Sequence, residues 1–241
     1  MDTTSQTQGV DTETHHPNNA PTGFPSGTAT KATEHAVGHS LGEHRGHGAA
    51  HDLLAWVFFA GRRRAVYRRV VVLSGAQPGD QVLDVGCGDG YLTRLMAEAV
   101  GPSGTAVGID PSAEAITAAR RRTNLRNCSF APGTAQAIEP ADGTYDVVVS
   151  SLMMHHLPEV DRPAAVAQMA RVLRPGGALL IAEFRPPRTG IVRRVVSPVA
   201  SPSMQTNPLH LLPPLLADSG LDEVQAFDLR PWIHAVRGRK R

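Results

Sequence analysis

Hydrophobic positions along this chain fall into short runs that alternate with segments of helical spacing. The run QVLDV at residues 81–85 reads as a buried parallel strand; it delivers Asp84 to its carboxyl end and is followed by glycines at 86, 88 and 90. The next segment, YLTRLMAEAV, sets Leu92, Leu95, Met96 and Ala99 on one helical face. TAVGID is a second strand ending in Asp110, and AEAITAARRR a helix with Ala115, Ile116 and Ala119 inward. NCSFAPGTAQAI supplies a third strand and a loop. After an Asp-Gly turn, residues 145–149 make a fourth strand that ends in Ser150 and Ser151. Pro163 opens a helix whose stripe is Val166, Met169, Ala170 and Leu173; RPGG stops it and ALLIAEF follows as the fifth strand. Beyond Pro213 and Pro214, LLADSG is a short helix, EVQAFDL and WIHAV form a tight pair of strands, and the terminal RGRKR reads as solvated. Strands alternating with helices predict an α/β domain built on a mostly parallel sheet.

Composition changes this picture at the N-terminus. Residues 1–50 are rich in Thr, Gly, Pro, Asn and His without sustained periodicity, and such a segment buries too little apolar surface to offset its ordering entropy, which predicts a disordered tail. Seven of the eleven histidines fall within residues 1–51, but their spacing is irregular and no cysteine or carboxylate completes a convincing shell, which predicts no metal site. From Asp52 the chain becomes apolar and then arginine-rich, predicting one or two helices up to Gly75. LLAWVFFA is too short to span a bilayer and the polar first residues do not make a signal peptide, so the expected location is the cytoplasm. Two cysteines, Cys87 and Cys128, suit a reducing compartment. A net charge of +2 over 241 residues gives no bulk signal for nucleic acid. The cluster Arg62, Arg63, Arg64, Arg68 and Arg69 is either a solvated face or a contact for anionic lipid or an acidic substrate.

The chemistry concentrates in the glycine loop. A dinucleotide fingerprint would read G-x-G-x-x-G, whereas the spacing here is G-x-G-x-G behind an acid that would repel pyrophosphate and attract a cation. Asp110, twenty-six positions beyond Asp84, stands at the end of the second strand, where an acid is placed to accept hydrogen bonds from ribose hydroxyls. His155 and His156 fall just past the fourth strand, and a histidine there could take a proton near neutral pH, cap a helix or brace a loop. LDVGCGDG, the Ile109-Asp110 pair, YDVVVSSLMMHHL and RVLRPGGALLIAEF occur in order, and together they resemble the class I S-adenosylmethionine-dependent methyltransferases, in particular the small-molecule type of ubiquinone and menaquinone biosynthesis.

That resemblance implies a Rossmann-like fold, a mixed seven-stranded sheet with helices on both faces and an antiparallel last strand, over residues 51–241. Lid helices would occupy 51–75 and an acceptor-side insertion 185–208, with Trp56, Phe58, Phe59 and Tyr67 either lining the pocket or serving as ordinary helix-packing residues. It implies S-adenosyl-L-methionine as cofactor and in-line SN2 methyl transfer to a small-molecule acceptor such as a quinone, a phenol or a lipid-like molecule. By the same resemblance Asp84 faces the methionine ammonium, Gly86, Cys87 and Gly88 give close backbone approach, and Thr93 lies at the opening of the following helix. Asp110 and Pro111 border the ribose, Thr134 and Ala135 the adenine, and Ser151 the methionine end. The acid that relatives place against the adenine amino group is missing, its positions being Gly133, Thr134 and Ala135. Two other readings stay open: an RNA or protein methyltransferase, and a non-catalytic member of the fold.

Overall fold

The computed structural model describes residues 61–185 and 209–241. The expectations for the tail at 1–50, for the apolar stretch with Trp56, Phe58 and Phe59, and for most of the insertion lie outside the described residues. The first helix, α1 (Arg63–Ser74), ends at Gly75, whose φ of +79° suits a residue without a Cβ. There follow β1 (Gln81–Val85), α2 (Tyr91–Val100), β2 (Thr105–Asp110), α3 (Ala113–Arg121), β3 (Cys128–Pro132), β4 (Tyr145–Ser151), α4 (Arg162–Val172), β5 (Leu173–Phe184), α5 (Leu212–Asp218), β6 (Leu221–Leu229) and β7 (Ile233–Lys240).

The strands form one seven-stranded sheet in the order β3-β2-β1-β4-β5-β7-β6. The pairs from β3 to β5 are parallel, while β7 runs antiparallel to both β5 and β6. β1 sits near the centre with Val82, Leu83 and Val85 fully buried, which explains why its sequence is apolar without alternation. One face packs under α1, α2 and α3 through Val66, Val70, Met96, Ile116 and Ala119. The other packs under α4 and α5 through Val166, Met169, Leu212 and Leu216. The chain reverses strand order between β1 and β4, so the crevice at their carboxyl ends is the switch point where ligands of open α/β sheets sit.

Four details differ from the expectation. The buried face of α2 is Leu92, Thr93, Met96, Ala97 and Val100, with Leu95 and Ala99 only half-buried, because Thr93 turns inward. Leu173 is the first residue of β5 rather than the last of the helical stripe, pairing with Tyr145 across the sheet. Pro213 and Pro214 lie within the first turn of α5 instead of preceding it, at positions where a missing N–H costs nothing. The terminal RGRKR, expected to be solvated, is mostly β7: Arg237 donates to the Leu73 carbonyl, and Lys240 Nζ donates to the carbonyls of Arg171 and Leu173 at 3.0 and 2.7 Å.

Candidate active site

Each glycine of the loop after β1 has its own cause. Gly86 and Gly90 both have φ of +74°, and a Cβ on either would overlap a packed side chain, Met153 at Gly86 and the Phe130 ring at Gly90. Gly88 differs: at φ +53° its Cα faces open space with nothing within 4 Å of where a Cβ would stand. Its amide donates to Asp110 Oδ2 at 2.9 Å, so the carboxylate at the end of β2 fixes the loop. Asp110 Oδ1 accepts from the Ser112 amide at 2.9 Å, and Ser112 Oγ caps α3 by accepting from Ala115 N. Each carboxylate oxygen keeps a lone pair for a further donor.

Asp84 is buried at the carboxyl end of β1 and accepts a 2.7 Å bond from Thr93 Oγ1. Burial pushes its carboxyl up to about 7; the Thr93 bond opposes this and the charges of Asp110 and Asp89 add to it. A buried carboxylate in this state favours a cation beside it. Thr93, buried in the first turn of α2, therefore supports Asp84 from the opening of that helix. Cys87 is buried, and desolvation together with Asp84 and Asp110 raises its thiol pKa far above the ordinary value, so it fills space and does not act as a nucleophile.

The loop is closed from the outside by α1. Tyr67 packs edge-on against Tyr91 with centroids 5.2 Å apart, and its hydroxyl lies 3.4 Å from Ser151 Oγ. Arg63 sits over the Tyr91 ring at 4.0 Å and faces Asp89 at 3.6 Å, and Arg122 pairs with the same carboxylate. Tyr67 is thus packed from α1 against the end of β4 beside Ser151. Thr134, exposed, and Ala135, buried, follow β3 next to Asp110, since Gly133 N donates to Asp110 O; Pro111 is exposed at the rim.

Past β4 the backbone is held in an uncommon conformation. Leu152 has φ +56° and its amide donates to Ala182 O at 2.8 Å, which turns Met153 over Gly86. The next residues dive under the strand end. Glu183 of β5 is fully buried; its Oε1 accepts from Met154 N at 2.7 Å and its Oε2 meets His155 Nδ1 at 2.8 Å. A carboxylate bonded to Nδ1 holds the proton there and leaves Nε2 as the basic nitrogen. His155 Nε2 is buried without a hydrogen-bond partner among the described residues. His156 is exposed on the same turn. The pair of candidates thus separates: His155 belongs to a buried acid–imidazole pair and His156 to the surface. Glu183 is the residue that sequence reading missed.

Residues 82–177 match the family model of the methyltransferase domain. Over 150 residues the chain is 33% identical to the ubiquinone/menaquinone biosynthesis C-methyltransferase UbiE of Teredinibacter turnerae, covering 61% of this chain and 59% of that one. Across that segment the chain is similar to the methyltransferase domain, over residues 82–177 of its 241. It is 32% identical to the UbiE of a Shewanella species over 151 residues. The chain spans about three fifths of the length of the curated relatives it matches. Its fold is shared with a SAM-dependent methyltransferase from Aquifex aeolicus, at a TM-score of 0.62 and 21% identity over 76% of this chain and 90% of that one. It is also shared with phosphoethanolamine N-methyltransferase 2 of Haemonchus contortus, solved in complex with S-adenosyl-L-methionine, at a TM-score of 0.61 and 15% identity over 78% and 56% of the two chains. No helix among the described residues is long and apolar enough to cross a membrane.

Proposed function

We propose that this chain transfers a methyl group from S-adenosyl-L-methionine to a small acceptor carrying an ionisable hydroxyl, a phenol or hydroquinone. The cofactor fits the donor set. Asp84 is a buried acid suited to an ammonium group, Asp110 offers free lone pairs to vicinal hydroxyls, and Gly88 leaves open the approach between them. In this reading Gly86 and Cys87 form the loop floor, Ser151 and Tyr67 border the methionine end, and Thr134, Ala135 and Pro111 border the nucleoside. The adenine has no acidic partner, so its amino group would meet backbone or the Thr134 hydroxyl.

When bound, the cofactor supplies a methyl group already activated on a sulfonium. The chain's own residues must then position the acceptor, keep water out and accept its proton. Positioning of this kind is worth about 7–11 kcal/mol of a barrier. The observation that carries the acceptor class is the Glu183–His155 pair, whose Nε2, unpartnered among the described residues, is a buried base at the strand end next to the site. A hydroxyl losing its proton to His155 becomes the nucleophile, at oxygen or, through the ring of a hydroquinone, at carbon. The second choice would parallel the C-methyltransferases named above. Free cysteines at 87 and 128 support the cytoplasmic placement.

Incubation with methyl-labelled S-adenosylmethionine and a panel of catechols and hydroquinones, beside the same compounds with both hydroxyls etherified, tests this. Label should enter the free phenols together with S-adenosylhomocysteine and should not enter the ethers. Label entering only RNA or protein would replace the acceptor class, and cofactor binding without transfer to any acceptor would favour a non-catalytic role.

A further inference from the structure

α1 has two unlike faces. Val66, Tyr67 and Val70 are buried against the sheet and the site, while Arg62, Ala65, Arg68, Arg69 and Val72 share the outward face, with Val72 77% exposed. Among the described residues none of Arg62, Arg68 and Arg69 forms an ion pair, in contrast to Arg63, which faces inward to Asp89. Helix physics gives the outward arginines no stabilising work. The helix contains no acid, its first turn carries Arg63 and Arg64 at the end where the dipole disfavours cations, and Arg64 and Arg68 stand four apart as a like-charge pair. The face is therefore a positive strip, interspersed with small apolar side chains, whose self-repulsion an anionic surface would relieve.

We propose that the outward face of α1 docks the protein on an anionic lipid surface. Nucleic acid is the competing anion, but the helix's aromatic residue, Tyr67, and its neighbour Tyr91 are turned inward and leave no stacking platform on this face. In the sequence the arginines are preceded at residues 53–60 by LLAWVFFA, a composition suited to lipid rather than to phosphodiester. Docking by this face would set the opposite face of the same helix, with Tyr67 against Ser151, just behind the membrane surface. An amphiphilic acceptor would then have a short path to the site. The inference concerns a surface and stands whether or not the methyl-transfer reading does.

The test is cosedimentation of the full chain, without cofactor, with vesicles of phosphatidylcholine alone or mixed with phosphatidylglycerol. Binding is expected only on the anionic vesicles and should weaken with added salt. Arg68→Ala with Arg69→Ala should weaken it about twenty-five-fold, at about fivefold per arginine, whereas Arg68→Lys with Arg69→Lys should retain it. Thermal unfolding of each variant checks that the helix is intact. Failure to bind anionic vesicles at low salt, equal binding to both lipids, or equal binding by the folded double-alanine variant would overturn the proposal. So would tighter capture of single-stranded RNA lost in that same variant, which would assign the face to nucleic acid.

Discussion

Asp84→Asn is expected to stabilise the ligand-free protein at pH 8 while weakening S-adenosylmethionine binding. The Asp84 carboxyl stands at about 7 in the fold against an ordinary value of 3.8. Between those values the folded chain holds a proton that the unfolded chain has released. The stability contributed by that proton is complete below about pH 4 and is lost as pH rises through 7. At about 1.4 kcal/mol per pH unit, the difference between 3.8 and about 7 opposes folding by about 4 kcal/mol at pH 8. Asparagine keeps an acceptor for Thr93 Oγ1 and removes the charge, so a gain of about 2–4 kcal/mol in denaturant unfolding at pH 8 should shrink toward zero below pH 4. The same change should cost about 2–5 kcal/mol of cofactor affinity, the usual loss when one member of a buried charge pair is removed. A variant no more stable than wild type at pH 8 would mean that Asp84 is not the buried, cation-seeking acid described above.

The second large effect concerns the base. His155→Ala should lower kcat by about 10²–10⁴, the range for a lost general base, and leave the cofactor dissociation constant unchanged. Glu183→Gln should lower it less, because Glu183 reaches the proton transfer through His155 and is a positioning residue. The decisive readout is acceptor acidity. With phenols of progressively lower pKa the His155→Ala deficit should shrink, since a hydroxyl already ionised needs no base. A loss independent of acceptor acidity would make the Glu183–His155 pair a brace for the loop after β4 and nothing more.

The glycine loop and Asp84 were legible in the sequence because their geometry is local, a strand end, a tight turn and a helix start within ten residues, and Asp110 because it ends the next apolar strand. The seven-stranded mixed sheet and its antiparallel hairpin followed from alternation and from the family resemblance. What stayed hidden depends on contacts between segments far apart in the chain. Tyr67 reaches Ser151 across 84 positions, and Glu183 reaches His155 across 28, so no spacing rule shows either pairing. A fully buried glutamate inside the apolar run ALLIAEF was the available signal, since a charge in a core strand requires a partner. Arg237 and Lys240 were misread as solvated because their heads reach backbone carbonyls, which composition does not distinguish from a free tail; Arg239 and Arg241 are exposed as read.

The central claim is that Asp84, the glycine loop and Asp110 form an S-adenosylmethionine site. Calorimetric titration of the wild type and of Asp110→Ala with S-adenosylmethionine and S-adenosylhomocysteine tests it most directly. The account predicts saturable binding of both ligands to the wild type and a loss of about 1–3 kcal/mol in the variant, as hydrogen bonds to a charged group disappear. Folded wild type that binds neither ligand, or a variant that binds both as tightly, would contradict it.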